Sequence, residues 1–223
     1  MNAEIKKKIQ IFVELLFKIN SVDLADLCNI TEEAIKAGGG FGWLKTPPRD
    51  VLKKFWKGVV LIENKRLIVG RLNGAIAGTL QITFQPDNNE AQRKVINIAS
   101  HFVAPWARGY GLAKAMIDKA EATALKRQAN FIQLDIRETQ DEAIQLYKSK
   151  GFKHWGTNPN YAQVGEKNIK GLYFSKKITL PVKPGGLFGL FFSDIFKFCI
   201  YNIIFVFSLF SFCLWGISIT CVP

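Results

Sequence analysis

Two closely spaced glycines, Gly109 and Gly111, lie in a turn between a short apolar strand and a predicted helix. Since glycine has no side chain, the backbone N–H groups of such a turn can approach a bound group closely. The helix that begins near Tyr110 directs the positive end of its dipole at the same place. This strand–turn–helix arrangement predicts a loop that binds phosphate through its backbone.

The turn lies within an ordered series of helices and strands. Apolar patterning and end signals predict helices over residues 25–37, 51–57, 111–128 and 141–150. They predict strands over residues 66–72, 75–84, 95–103, 131–137, 152–155 and 171–177. Asn73-Gly74 is typical of a hairpin turn between two of these strands. Residues 9–19 fit a helix and an edge strand equally well, so both interpretations stay open.

The composition limits the classes of partner. The 223-residue chain has 30 Lys and Arg residues against 18 Asp and Glu, which gives a net charge of +12. Such a charge often indicates nucleic-acid binding, but no zinc-ligand spacing, RNP-like strand or basic helix with interleaved aromatic residues is present. We therefore expect no nucleic-acid partner. We interpret most of these charges as solvating exposed faces and a few as attracting phosphate groups.

The cysteines do not form a recognisable framework. Cys28, Cys199, Cys213 and Cys221 show no C-x-x-C spacing, and three of the four lie near the C-terminus. We therefore expect neither a disulfide framework nor a metal site.

The last part of the chain differs in composition from the rest. Residues 180–197 include Pro181, Pro184 and two adjacent glycines and are typical of a linker. Residues 198–223 carry no charge. As a helix they would extend about 39 Å, which exceeds the roughly 30 Å hydrocarbon core of a bilayer. We expect a globular domain over residues 1–179 and a transmembrane helix over residues 198–223.

The charges around this segment predict its orientation. Lys183 and Lys197 precede the apolar stretch and no basic residue follows it. The positive-inside rule then predicts a cytoplasmic domain anchored to the inner membrane. Two alternatives stay open, namely a buried core helix and translation past a natural stop near Leu180.

The order of the motifs resembles that of the GNAT superfamily of acetyl-CoA-dependent N-acetyltransferases. The loop of that family reads Arg/Gln-x-x-Gly-x-Gly/Ala, a pattern that Arg108, Gly111 and Ala113 fill. Downstream lie an amphipathic helix, a second apolar strand and residues 146–152, which read Leu-Tyr-Lys-Ser-Lys-Gly-Phe. The likeness covers roughly residues 20–178. Details such as residues 134–140 look like a bacterial subgroup that is similar to the tabtoxin-resistance acetyltransferases.

The resemblance implies a fold and a cofactor. The fold is α+β, the GNAT fold, in which helices flank a mixed, mostly antiparallel central sheet, and the cofactor is acetyl-CoA. In this family the strand before the loop separates from its neighbour and its backbone binds the pantetheine arm, a role that falls here to Phe102 and Val103. The residues that the resemblance assigns to the diphosphate are those of the loop, Arg108, Gly109, Tyr110, Gly111, Leu112 and Ala113.

Three residues are candidates for the chemistry itself. The resemblance implies that Tyr147 reaches the cofactor sulfur and acts as the general acid. Many members carry a glutamate base on the strand before the loop, whereas this chain has Asn97 there, which can orient a water but cannot accept a proton. Strand alternation places His101 on the same face as Asn97, and an unperturbed pKa of about 6.5 suits a base. A lone histidine on an apolar strand is more often a satisfied core residue, so that alternative stays open.

These features predict transfer of an acetyl group from acetyl-CoA to a primary amine of a small-molecule or amino-acid-like acceptor. Direct attack in a ternary complex is expected, because no cysteine lies near the motifs to carry the acyl group. The alternative is a catalytically weak acetyl-CoA-binding sensor or scaffold, which the absence of a glutamate at position 97 favours. Phe41, Trp43, Trp155 and Tyr161 could wall an acceptor pocket. The acceptor's identity and the formation of a homodimer stay open.

Overall fold

Seven strands form one mixed sheet in the part of the chain that the structure, a computed structural model, describes, which is residues 9–39 and 42–179. The strands are β1 (Ile11–Leu16), β2 (Lys65–Leu72), β3 (Ala75–Phe84), β4 (Val95–Val103), β5 (Phe131–Arg137), β6 (Lys153–Val164) and β7 (Lys167–Lys177). The helices are α1 (Ser21–Lys36), α2 (Arg49–Val59), α3 (Leu112–Lys126) and α4 (Asp141–Ser149).

The sheet order is β1-β2-β3-β4-β5-β7-β6. β4 and β5 are parallel, and every other neighbouring pair is antiparallel. The predicted α+β fold with a mixed, mostly antiparallel sheet is therefore confirmed. Parallel strands need a crossover connection, and α3, which follows the glycine loop, supplies it between β4 and β5.

Local chemistry sets the ends of several elements. Asn20 caps α1, because its Oδ1 atom accepts a hydrogen bond from the Asp23 N–H at 2.8 Å. The helix therefore begins at Ser21. Asn73 and Gly74 adopt φ angles of 52° and 94°, as a two-residue hairpin turn requires, and they connect β2 to β3 as predicted.

Two glycines let α3 lie close to the sheet. A Cβ atom at Gly70 would lie 2.7 Å from Cγ of Leu112, and one at Gly78 would lie 2.9 Å from Cε of Met116. Gly70 and Gly78 are partners across β2 and β3. Together they allow α3 to pack directly on the sheet, and a larger residue at either position would displace the helix. The glycine loop before α3 is positioned by this contact.

The edge strand β1 settles the ambiguity over residues 9–19. It pairs antiparallel with β2. Arg71 of β2 binds the carboxylate of Glu14 at 2.6 Å and that of Asp23 at 2.8 Å. These ion pairs join β1, β2 and α1.

The last two strands are longer than the predicted ones. β6 has 12 residues and β7 has 11, and they pair with each other. Their register shifts between His154 and Gly156 and again between Asn158 and Ala162. Such irregularities break the alternation from which strand length is predicted.

The predicted linker over residues 180–197 and the predicted transmembrane helix over residues 198–223 lie outside the described residues. Within residues 9–39 and 42–179, no helix is long and apolar enough to cross a bilayer. The domain boundary, the membrane anchor and the cytoplasmic location therefore stay predictions. The same residues contain no group of three His, Cys, Asp or Glu side chains arranged to hold a metal ion.

Candidate active site

β4 and β5 separate partway along their length. Their pairing runs from Val95 opposite Phe131 to Ile98 opposite Leu134, and no pair of described residues joins the two strands further along. β4 nevertheless continues to residue 103 and β5 to residue 137. Diverging strands leave a gap in which an extended molecule with amide groups can lie. The predicted pantetheine contacts, residues 102 and 103, are on the β4 side of this gap.

A bulge in β4 accompanies the separation. Thr79 lies opposite Phe102, whereas Gln81 lies opposite Ala99, so β4 has one residue more than β3 in this stretch. Ser100 adopts a φ angle of 48°, and its carbonyl oxygen accepts a hydrogen bond from the buried Thr79 hydroxyl at 2.9 Å. A bulge bends its strand and increases the local twist. The bulge lies just beyond Ile98, the last residue of β4 that pairs with β5.

The bulge also corrects the prediction that Asn97 and His101 share a face. Asn97 lies opposite Thr83, and Phe102 lies opposite Thr79. Since Thr79 and Thr83 are on one face of β3, Asn97 and Phe102 are on that face too. His101 directly precedes Phe102 and therefore points to the other face. Strict alternation fails here because it does not count the additional residue.

On that other face, His101 and Tyr147 are in contact. Nδ1 of the imidazole lies 2.7 Å from the Tyr147 hydroxyl oxygen. Tyr147 is buried, and its ring meets those of His101 and Phe152 edge on, with centroids 5.7 Å and 5.3 Å away. Nε2 of His101 is buried and has no hydrogen-bond partner among the described residues.

Burial governs the ionisation of this pair. It lowers the pKa of His101 to about 4, against a smaller raising effect of the Ala113 backbone, so the ring is neutral near pH 7. Burial also raises the pKa of the Tyr147 phenol, which therefore keeps its proton. A phenol that keeps its proton near pH 7 can donate a hydrogen bond to the sulfur, but the raised pKa makes it a weaker acid. The pKa of about 4 for His101 does not favour its predicted role as the base.

Asn97 lies apart from this pair. Its side chain is half-buried, and it is the partner of Gln133 across β4 and β5. Of the three predicted catalytic residues, the structure thus brings His101 and Tyr147 together and places Asn97 on the opposite face of the sheet.

The two glycines of the loop adopt a backbone conformation that favours glycine. Gly109 and Gly111 adopt φ angles of 84° and 78°, in the left-handed region that favours glycine. A Cβ atom on either glycine would meet nothing within 4 Å. Arg108 and Tyr110 are exposed, whereas Leu112 is buried.

The backbone N–H groups of the loop are available for a ligand. Before the loop, the Arg108 N–H donates a hydrogen bond to the Pro105 carbonyl at 3.4 Å. After it, the Ala115 N–H donates to the Gly111 carbonyl at 3.0 Å. Between them, the N–H groups of residues 109–114 donate to no other described residue. The loop leads into the 15-residue helix α3. Free N–H groups at the start of a helix fit a diphosphate.

The sequence prediction missed Asp135. This residue directly follows Leu134, the last residue of β5 that pairs with β4, so it lies where the two strands part. It shares a face with Gln133 and hence with Asn97, opposite to His101. The available signal was weak, because Asp135 is the one carboxylate among the polar positions of an alternating strand, between Gln133 and Arg137. Without the partner strands, that signal does not distinguish a functional residue from a solvated one.

Asp135 is an exposed carboxylate that accepts a hydrogen bond from the Tyr161 hydroxyl. A Cβ atom at Gly171 would lie 2.2 Å from the Tyr161 ring, so glycine at this position makes room for the ring. Burial, and then the contact with Asp135, raise the pKa of Tyr161. The phenol therefore remains a donor to the carboxylate.

Aromatic side chains extend from Tyr161 along the same region. Tyr173 meets Tyr161 edge on at 6.3 Å between centroids, and Trp155 lies 5.5 Å from Tyr173. Trp155 is 61% exposed, so it offers a ring face to a bound molecule. Trp43 instead packs edge on against Phe55 at 5.1 Å, and Phe41 lies outside the described residues.

Comparison with known proteins defines the class. The family described as the acetyltransferase (GNAT) family matches residues 26–152, which is more than half of the chain. This chain belongs to that family and is an acetyl-CoA-dependent acyltransferase. The narrower likeness to the tabtoxin-resistance enzymes stays a prediction.

Individual relatives agree with this assignment. An uncharacterised N-acetyltransferase from the hisH-hisA intergenic region of Azospirillum brasilense is 43% identical over 128 residues, which are 57% of this chain and 76% of that protein. An N-acetyltransferase from Staphylococcus aureus Mu50 is similar in structure, with a TM-score of 0.65 and 19% identity over 76% of this chain and 99% of its own. Salmonella typhimurium yncA, solved with its cofactor acetyl-CoA, gives a TM-score of 0.62 and 15% identity over 79% of this chain and 99% of its own. At these identities the two structures show the fold alone.

Proposed function

We propose that this protein transfers the acetyl group of acetyl-CoA to the primary amine of a small-molecule or amino-acid-like acceptor, by direct attack in a ternary complex. One observation carries the proposal: Asp135 and Tyr147 lie at the gap between β4 and β5, on opposite faces of the sheet. Acyl transfer from a thioester to an amine needs a proton acceptor near the amine and a proton donor near the sulfur. These two side chains supply both.

Asp135 serves the amine. An alkyl ammonium has a pKa of about 10, so roughly one molecule in a thousand is neutral at pH 7. The Asp135 carboxylate, directly or through a water, accepts the proton that the amine nitrogen loses as it bonds to the acyl carbon. The aromatic rings beside Asp135 favour the approach of a cationic amine.

Tyr147 serves the departing sulfur. As the carbon–sulfur bond breaks, the Tyr147 hydroxyl donates its proton to the thiolate. Acetyl-CoA, when bound, supplies the acyl group as a thioester. The residues that would hold it are Phe102 and Val103 through the backbone of β4, Gly109 to Ala113 through the N–H groups of the loop, and Arg108 through its guanidinium group.

A route through an acyl-enzyme has no support among the described residues. The free cysteine there, Cys28, is fully buried in α1. Burial raises the pKa of its thiol, so the nucleophilic thiolate is disfavoured. Direct attack by the amine is the simpler mechanism.

The test is an acceptor screen with the full chain. Purified protein is incubated with acetyl-CoA and a panel of amino acids, polyamines and aromatic amines, and free thiol and acetylated amine are measured together. We expect at least one amine to give equal amounts of both products. Calorimetry that shows tight acetyl-CoA binding, together with no acetylated amine from any acceptor, would overturn the enzyme proposal and favour a sensor.

A further inference from the structure

The imidazole of His101 has no role in the acid–base assignment above, although it touches the proposed acid. We propose that His101 is a positioning residue: through Nδ1 it fixes the hydroxyl oxygen of Tyr147 at the gap between β4 and β5. This inference rests on the proposed function, because it presumes that Tyr147 acts on the thioester sulfur.

The contact depends on the bulge in β4. Without the additional residue, His101 would share a face with Asn97 and could not reach Tyr147. The bulge is built into the strand by Ser100, a non-glycine residue with a φ angle of 48°, and by the buried hydrogen bond from Thr79 to its carbonyl. A strained conformation of this kind persists only where its surroundings hold it. The result is that the imidazole faces Tyr147.

The imidazole is suited to orientation rather than to proton uptake. Burial disfavours the imidazolium, because it removes the charged ring from water. A neutral ring carries one proton, on either nitrogen. With that proton on Nε2, the Tyr147 hydroxyl donates to Nδ1; with it on Nδ1, the imidazole donates to the phenol oxygen. Both tautomers hold the oxygen 2.7 Å from Nδ1. The second leaves the phenol proton free for the sulfur and is the one that the proposed acid role requires.

The Tyr147 ring is held separately from its hydroxyl group. Phe152 packs edge on against the ring with centroids 5.3 Å apart, which limits movement of the ring but does not contact the oxygen specifically. Within the described part of the chain, that oxygen has a polar contact with Nδ1 of His101. A donor whose position is fixed before the reaction needs little reorganisation in the transition state.

His101 also lies next to the cofactor loop. The Ala113 backbone raises the pKa of His101, which for an imidazole is the effect of a nearby carbonyl group. Ala113 is in the first turn of α3, directly after the predicted diphosphate loop. The same imidazole therefore borders both the helix that follows the loop and the tyrosine that acts at the sulfur.

The competing explanation is purely structural. A buried tyrosine hydroxyl requires a hydrogen-bond partner, and His101 could satisfy it without any effect on catalysis. The two explanations differ in whether substitution of His101 lowers kcat. They also differ in whether that loss of kcat requires the Tyr147 hydroxyl.

Three substitutions at position 101 separate them. His101→Asn places an amide near the position of Nδ1, His101→Gln places it near that of Nε2, and His101→Phe keeps a ring with no polar atom. With an amine from the acceptor screen, we expect the Phe and Gln variants to lower kcat about tenfold, as loss of one hydrogen bond in the transition state would. The KM for acetyl-CoA should change less than about twofold, and His101→Asn should retain about half of kcat or more.

The same substitutions are then made together with Tyr147→Phe. We expect them to have little further effect on kcat, because the hydroxyl that they position is already absent. Equal losses in the Asn and Gln variants, or a loss from His101→Phe that is the same with and without the Tyr147 hydroxyl, would overturn the proposal.

A readout without an acceptor keeps this test apart from that of the proposed function. The chain has five tyrosines, so a protein labelled with ¹³C at the tyrosine ζ-carbon gives few NMR signals, and Tyr147→Phe identifies the one from Tyr147. We expect this signal to shift in His101→Phe and His101→Gln and to stay in place in His101→Asn. An unchanged signal in His101→Phe would contradict the contact. Failure of every amine in the screen would count against the proposed function alone.

Discussion

Asp135 and the hydroxyl of Tyr147 lie at the gap between β4 and β5 on opposite faces of the sheet. Asp135 follows the last β5 residue that pairs with β4. Tyr147 is held by His101, which the bulge at Ser100 turns to the other face. The sheet thus lies between the proposed proton acceptor and the proposed proton donor, and a thioester in the gap would lie between them.

Removal of the Tyr147 hydroxyl should affect turnover and not binding. Tyr147→Phe keeps the ring that packs against Phe152, so we expect the Kd for CoA to stay within about twofold. The general-acid contribution should be lost, which lowers kcat about 100-fold. Thiol release under saturating substrates measures kcat, and calorimetry measures the Kd. A variant with wild-type kcat would exclude Tyr147 from the chemistry.

Removal of the Asp135 charge should impair the attack of the amine. Asp135→Asn keeps the shape of the side chain but cannot accept a proton, so we expect kcat/KM for the acceptor to fall about 100-fold. Asp118→Asn is the matched control: this exposed aspartate of α3 pairs with Lys150, and its substitution should leave kcat/KM unchanged. Equal effects of the two substitutions would show that Asp135 has no special role.

A carboxylate in the glycine loop should abolish cofactor binding. Gly111→Glu places negative charge beside the N–H groups that are proposed to hold the diphosphate, so we expect the CoA affinity to fall at least 100-fold. Gly165→Glu is the matched control, because Gly165 also has a positive φ angle, 61°, with no atom within 4 Å of a Cβ. Both variants share the cost of that conformation, but only the first should lose CoA binding in calorimetry. CoA binding by Gly111→Glu at wild-type affinity would refute the loop assignment.

The low pKa of His101 should make the protein less stable in mild acid. The unfolded chain binds a proton at this residue near pH 6.5, and the folded protein only near pH 4. The unfolded state therefore binds more protons in this window, and stability falls as pH falls. At 1.36 kcal/mol per pKa unit, His101 accounts for up to about 2 kcal/mol between pH 7 and pH 5. Urea unfolding of wild type and His101→Asn measures this, and the same pH dependence in both would contradict it.

The ion pairs of Arg71 should stabilise the fold without affecting the chemistry. Arg71→Met leaves the Asp23 carboxylate, whose side chain is 6% exposed, without its cationic partner. We expect the free energy of unfolding to fall by about 3 kcal/mol. Lys53→Met removes the exposed pair with Asp50 and should change stability by less than about 0.5 kcal/mol. Urea unfolding with equal losses in the two variants would contradict this ranking.

Local signals were sufficient for much of the fold. Asn73-Gly74 identifies its hairpin, and the glycines at 109 and 111 identify the loop, because in both cases the residue type is required by the backbone conformation. The family resemblance, carried by the loop and by residues 146–152, supplied the sheet architecture and the choice of Tyr147.

The relative positions of the candidate residues could not be predicted in the same way. The bulge at Ser100 depends on pairing with β3 and on the buried hydroxyl of Thr79, neither of which is a local property of β4. Because it is not visible in the sequence, His101 was expected on the wrong face. Asp135 was missed because its importance depends on where β4 leaves β5, which only the pairing of the strands reveals.

A crystal structure of the complex with CoA tests the central claim most directly, namely that the gap between β4 and β5 and the glycine loop form one binding groove for a thioester cofactor. We expect the diphosphate to accept hydrogen bonds from the N–H groups of residues 109–113, and the pantetheine arm to lie along β4 with its sulfur near the Tyr147 hydroxyl. CoA bound elsewhere, with the loop N–H groups unengaged and the gap empty, would contradict the account.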